Sequence, residues 1–144
     1  MRVLVQRSKN SKVIVSSKVV GEIDSGFVLF VGFTDTDNYE VINKMIKKII
    51  NLRIFDDTNG VMNESILNKN KSILSISQFT LYADTRKGNR PSYIKALNGE
   101  KAKPLYEYFN KELSKYINVE TGIFGADMEV NIINDGPVTI MLEV

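Results

Sequence analysis

Two hydroxyls and an amide lie within four residues at Ser77-Gln78-Phe79-Thr80, inside a largely apolar run from Ser72 to Tyr82 (SILSISQFTLY). Polar groups in a buried strand cost free energy unless they are paired or used. Hydroxyls and an amide can hold a polar substrate group. Successive backbone N–H groups at a strand end can hold an oxyanion. Read as one long strand, the run puts Ser77, Phe79 and Leu81 on one face and Gln78 and Thr80 on the other. The plainer meaning, which these residues alone favour, is a strand leaving the core.

A second constellation is Asn134-Asp135-Gly136-Pro137. It is turn chemistry, and a plain reverse turn is its ordinary meaning. X-Pro bonds are cis in only about 5–6% of cases. A cis bond here would set the carbonyl oxygens of Gly136 and Pro137 side by side, an acceptor pair suited to an ammonium. A third is Arg86-Lys87-Gly88-Asn89-Arg90-Pro91-Ser92-Tyr93. Its cations and aromatic ring could grip a phosphate backbone or stack on a base, although a solvated loop is the readier reading. The adjacent carboxylates Asp56 and Asp57 precede Asn59-Gly60 and read as a turn.

The elements that must position these groups are mostly strands. Val3 and Val5 alternate with Leu4 and Gln6 in a first strand. Lys12 to Val15 and Lys18 to Ile23 form a hairpin around Ser16-Ser17. Phe27 to Phe33 (FVLFVGF) is apolar throughout, as expected of a strand covered on both faces. Asp37 is expected to cap a helix, with Glu40 at capping-box spacing. The stripe of Val41, Ile42, Met45, Ile46, Ile49 and Ile50 then faces the core. A second helix is expected from about Glu100 to Tyr116, with Leu105, Phe109, Leu113 and Tyr116 inward and Pro104 in or near its first turn. Two strands close the chain, Ala126 to Ile133 and Val138 to Val144. The fold class is α+β: a strand-rich, largely antiparallel curved sheet or β-barrel-like core with two main helices packed against it, in one domain over residues 1–144.

Composition limits the chemistry. The 144 residues contain no His and no Cys, so neither an imidazole, a thiol nor an ordinary zinc site is available. No cofactor and no metal are expected. The net charge of +2 gives no global nucleic-acid footprint, so any RNA contact must be local. The N-terminal apolar run is too short for a signal segment, and no stretch reaches membrane-span length. A cytoplasmic location is expected.

Taken together and in order, the motifs resemble one family. They are Gln6-Arg7, Arg53-Ile54-Phe55 with Met62-Asn63, Ser77-Gln78-Phe79-Thr80-Leu81, Ala83-Asp84-Thr85, and Gly88 with Arg90-Pro91-Ser92. Thr121-Gly122, Phe124-Gly125-Ala126-Asp127-Met128 and Asn134-Asp135-Gly136-Pro137-Val138-Thr139 complete the set. Over essentially the whole chain they look like D-aminoacyl-tRNA deacylases. The resemblance implies a homodimer of β-barrel-like subunits that hydrolyses the ester joining a D-amino acid to the terminal adenosine of tRNA. It implies a Gly-cisPro motif, Gly136 and Pro137, that reaches into the partner copy's site, receives the α-ammonium and excludes an L side chain. Mischarged glycyl-tRNA, with no side chain to exclude, becomes a second expected substrate. Ser77, Gln78, Phe79 and Thr80 would shape the site, mainly through backbone groups. Arg7 would brace the Gly-Pro loop, and Phe124 and Met128 would line an adenosine pocket or pack the core. Arg86, Lys87 and Arg90 would contact tRNA. Aminoacylated tRNA is the expected partner, with no DNA and no membrane. A nucleic-acid-binding module without chemistry, or a β-barrel dimer whose motifs only pack an interface, are the readings from other classes.

Overall fold

The computed structural model describes all residues, Met1–Val144. Its centre is a five-stranded sheet in the order β10-β1-β4-β7-β8. These strands are β1 (Arg2–Ser8), β4 (Gly26–Gly32), β7 (Ser72–Ser77), β8 (Val119–Thr121) and β10 (Asn134–Glu143). β1 runs antiparallel to β10 and β4, whereas β4–β7 and β7–β8 are parallel pairs. A three-stranded sheet holds β2 (Ser11–Val15), β3 (Lys18–Ile23) and β9 (Glu129–Asn131) in the order β3-β2-β9. A small antiparallel pair joins β5 (Arg53–Asp56) to β6 (Met62–Ser65).

The central sheet is covered on both faces. Helices α1 (Tyr39–Ile50) and α2 (Gly99–Leu113) lie on one side, over Val3, Val5, Phe27, Leu29, Val31 and Ile73. The three-stranded sheet lies on the other, where Val13 and Ile23 meet Val28, Leu74 and Ile76. β4 therefore sends alternate side chains into two different cores, which is why its sequence shows no polar face. The sheets do not close into a barrel: β10 and β8 are edges of the five-stranded sheet. The arrangement is α+β with open sheets, the five-stranded one mixed and the other two antiparallel.

Several local expectations are corrected. Asn38, not Asp37, caps α1, its Oδ1 accepting from Val41 N–H at 3.0 Å. Asp37 is occupied elsewhere, accepting from Thr34 N–H at 2.8 Å and from the Met1 ammonium at 2.7 Å. Glu40 then falls in the first turn and pairs with Lys44 at 2.8 Å. The run from Ser72 is not a strand to Tyr82: β7 stops at Ser77 and a 3-10 turn spans Phe79–Tyr82. The aromatic and β-branched residues there carry strand propensity, but outside the sheet the buried Tyr82 ring sits beneath the Arg2 guanidinium, 4.7 Å from its centroid, and Arg2 Nη1 donates to Leu81 O at 3.0 Å. α2 ends at Leu113, leaving Tyr116 54% exposed rather than inward. Its cap is Asn98, and Pro104 is the sixth helical residue, on the exposed side where its missing N–H costs least. The strand expected from Ala126 shrinks to Glu129–Asn131. The last strand begins at Asn134, so Asn134 to Pro137 open β10 rather than forming a turn before it. β6 and β8 are short strands absent from the sequence reading.

Candidate functional site

β4 and β7 are parallel, and both end at the same side of the sheet, at Gly32 and Ser77. Beyond these ends lies a cavity of about 640 Å³. Its wall includes Ser77, Gln78 and Phe79 from the strand exit, with Phe124 and Met128 from the segment before β9. The sequence-predicted residues of these two motifs thus meet at one place, although about 45 residues separate them in the chain. Their positions have local causes. Gln78 N–H continues the ladder by donating to Val31 O at 2.7 Å, and then the chain leaves the sheet. Gly122 lets Met128 approach: a Cβ at Gly122 would lie 2.5 Å from the Met128 sulfur. Phe124 packs against Tyr106 with ring centroids 5.8 Å apart. Tyr106 itself is buried and donates to Ser75 O at 2.8 Å, and burial pushes its phenol pKa upward.

The strand exit leaves two backbone donors free. Neither Phe79 N–H nor Thr80 N–H donates to any other group of the chain, whereas Leu81 N–H returns to Gln78 O at 3.4 Å and Ala83 N–H to Thr80 O at 3.0 Å. Thr80 does not line the cavity, but its hydroxyl accepts from Gln78 Nε2. No histidine exists to take its proton. The wall also contains Gly32, Phe33, Ala96 and Leu97, which sequence reasoning did not assign to a site, and Tyr93, the aromatic ring of the third constellation. One signal was present. A glycine in an apolar strand marks close backbone approach, and a Cβ at Gly32 would stand 2.8 Å from Gln78 O.

Gly136 and Pro137 are exposed and lie at the other end of the molecule. Ser8 pairs with Asn134, whereas Arg2 pairs with Gly32 and Glu143. The six-residue interval along β1 corresponds to about 20 Å. The Gly136–Pro137 bond is cis, not the plain turn that the residues alone favour. Arg7 is buried beside it, with Nη1 donating to Ile54 O at 2.7 Å and Nε donating to Asp135 O at 3.3 Å. Its guanidinium also faces the Asp135 carboxylate at 3.2 Å and that of Asp56 at 3.6 Å. Asn134 Nδ2 ties the loop at both ends, donating to Arg7 O at 2.9 Å and Val138 O at 3.1 Å.

The turn carboxylate Asp57 accepts from Asn59 N–H at 2.8 Å and Val61 N–H at 3.1 Å. Those backbone donors, Val61 foremost, hold its pKa below the usual value. Arg86, Lys87 and Arg90 sit on an exposed loop closed by the Asp84–Ser92 bridge. Arg86 is spent on Asp84, whose carboxyl it holds well below the usual carboxylate range. No helix is long and apolar enough to cross a membrane.

The profile of the D-Tyr-tRNA(Tyr) deacylase family matches residues 4–143. A D-aminoacyl-tRNA deacylase of Brevibacillus brevis is 52% identical over 144 residues, covering 99% of each chain. One of Bacteroides fragilis is 53% identical over 145 residues, covering 99% of this chain and 97% of that one. Among solved structures, a c-Myc DNA Unwinding Element Binding Protein superposes with a TM-score of 0.95 at 37% identity, over 100% of this chain and 99% of the other. A probable eukaryotic D-amino acid tRNA deacylase, 18% identical, shares the fold with a TM-score of 0.85, over 99% of this chain and 98% of its own. Matched almost from end to end, the chain belongs to the D-Tyr-tRNA(Tyr) deacylase family and is, with it, a deacylase enzyme.

Proposed function

We propose that this chain hydrolyses the ester between a D-amino acid and the terminal adenosine of tRNA, as a chiral proofreader in translation. The observation that carries the reading is the cavity at the ends of β4 and β7, with the unpartnered Phe79 and Thr80 amides at the strand exit. These amides polarise the ester carbonyl and hold the negative charge that develops on its oxygen. The terminal ribose 2′-OH assists a water, which adds to the carbonyl carbon. The ester C–O bond then breaks, and the ribose 3′-oxygen leaves with a proton. Ser77 and Gln78 shape the pocket, Thr80 positions Gln78, and Phe124 and Met128 hold the adenosine. Arg86, Lys87 and Arg90 lie on the side from which the rest of the tRNA arrives.

Chirality is read by Gly136 and Pro137 of a second copy. Within one copy they stand about 20 Å from the cavity along β1, a separation that supports a homodimer in which another subunit brings them to it. Their carbonyls accept from the α-ammonium, and rigid backbone occupies the space an L side chain needs. Glycine has no side chain to reject, so glycyl-tRNA, for example mischarged tRNA(Ala), is a second substrate. The enzyme works in the cytoplasm, where aminoacylated tRNA is its partner, and needs no cofactor or metal.

Side-by-side deacylation of D-tyrosyl-tRNA and L-tyrosyl-tRNA tests the proposal. Release from the D-ester alone is expected. Equal release from both, or from neither, would sink it.

A further inference from the structure

Phe79 and Tyr93 are left open at the mouth of the cavity, 55% and 40% exposed, with their rings edge to face at 5.0 Å. The segment bearing Tyr93 is fixed to the scaffold. Thr34 Oγ1 donates to Lys95 O at 2.6 Å, Leu97 N–H to Phe33 O at 2.9 Å, and Ala96 N–H to Tyr93 O at 2.9 Å. An exposed ring on a rigid shelf is suited to contact rather than to packing.

Charge accompanies the rings. From residue 84 to residue 103 the chain carries Arg86, Lys87, Arg90, Lys95, Lys101 and Lys103 against only Asp84 and Glu100, a surplus of four on a chain whose net charge is +2. Arg86 is tied to Asp84, and Lys103 reaches Glu107 at 4.0 Å. Lys87, Arg90, Lys95 and Lys101 form no ion pair. Aromatic faces beside unpaired cations are the two components that single-stranded nucleic acid requires, one for unstacked bases and one for phosphates. A rim-to-rim contact with a second copy is disfavoured, because the positive surplus would meet its like, and the copy proposed to bring Gly136 and Pro137 would do so with its opposite end.

We propose that Tyr93, backed by the Phe79 ring, is a stacking platform for the unpaired nucleotide preceding the esterified terminal nucleoside. Lys95 and Lys101 extend the basic loop of Lys87 and Arg90 into a phosphate track along the same rim. This rests on the deacylase reading. It adds a contact outside the cavity that reads the strand rather than the amino acid.

The test compares wild type, Tyr93→Ala, Tyr93→Phe and a Lys95→Ala/Lys101→Ala double variant on two substrates: D-tyrosyl-tRNA and the D-tyrosyl ester of adenosine alone. Tyr93→Ala should lower kcat/KM about 5- to 100-fold more on the tRNA than on the nucleoside ester. Tyr93→Phe, which keeps the ring face, should stay near wild type. The double variant should flatten the log–log salt dependence of tRNA binding by about 1.4, from two lost single-strand phosphate contacts. Equal losses on both substrates, or none on either, would overturn the platform. So would a changed oligomeric mass of Tyr93→Ala in sedimentation, which would assign the rim to a second copy. If wild type releases nothing from either substrate, the deacylase reading fails by itself. The platform is then judged by fluorescence anisotropy of a labelled four-nucleotide RNA, and affinity unchanged in Tyr93→Ala would overturn it.

Discussion

The two ends of β1 are built on opposite plans. At the Arg2 end the chain leaves groups unused: the Phe79 and Thr80 amides have no partner, and the Phe79 ring is open to solvent. At the Arg7 end nearly every polar group is tied. Arg7 bonds Ile54 O and Asp135 O, while Asn134 bonds Arg7 O and Val138 O. One end leaves donors and a ring open, and the other fixes the shape of an exposed loop. The same strand thus carries open groups and enforced geometry at separate addresses, and neither has to compromise the other.

Breaking the tied end should cost most. Arg7→Ala leaves Ile54 O and the Asp135 carboxylate short of a buried partner, with a stability loss of about 3 kcal/mol by denaturant melting. Displacing the Gly136–Pro137 loop should also lower D-ester turnover about 100-fold. Arg7→Lys should not restore either, because an ammonium cannot serve acceptors in several directions of one plane. Near wild-type behaviour in Arg7→Ala would erase the contrast. At the open end, Gly32→Ala drives a Cβ to within 2.8 Å of Gln78 O and 3.3 Å of Leu81 Cβ. The expected loss is about 1–3 kcal/mol, together with roughly tenfold slower turnover as the strand exit shifts.

Alkali should loosen the open end first. Burial, chiefly, pushes the Tyr82 phenol up to about 12. Its contribution to stability is complete below the unfolded phenol pKa of about 10 and is lost as pH rises through about 12. A Tyr82→Phe variant, which has no titrating hydroxyl, should show a shallower fall in denaturation midpoint over that window. Identical pH curves would assign the fall to other groups. The smallest effect is expected from Thr80→Ala. Its hydroxyl serves only Gln78, so turnover should stay within about fivefold of wild type. A folded, tRNA-binding but inactive Thr80→Ala protein would return a side-chain nucleophile to the open end.

How much was legible depended on whether a residue's meaning was local. β4 was readable because both its faces are buried, and α1 because five of its apolar positions face one core. The Ser16–Ser17 turn was readable from its flanking strands, although both serines adopt positive φ, at 49° and 64°, where glycine or asparagine is usual. β8 was missed because three half-buried residues have no periodicity to detect. The end of β7 was missed because Phe79 to Tyr82 carry strand propensity, whereas the contacts of Arg2 with the Tyr82 ring and Leu81 O that hold them outside the sheet are long-range. Ser77, Gln78, Phe79, Phe124 and Met128 were identified and do converge. That Gly136 and Pro137 stand far from them could not be read, because that distance is set by strand register. Tyr93 was read with the basic loop and not as a wall residue, because its place follows from the bonds of Lys95 to Thr34 and of Leu97 to Phe33, just past β4.

The unpartnered amides at Phe79 and Thr80 have a genetic consequence. A peptide N–H is the same in every residue but proline, so alanine scanning across this stretch leaves both donors in place. Drift in the side chains would leave them in place too. Selection can therefore act on these groups only through backbone shape, held here by Gly32, Tyr82 and the Val31 carbonyl. A proline codon or an amide-to-ester replacement would be needed to delete either donor.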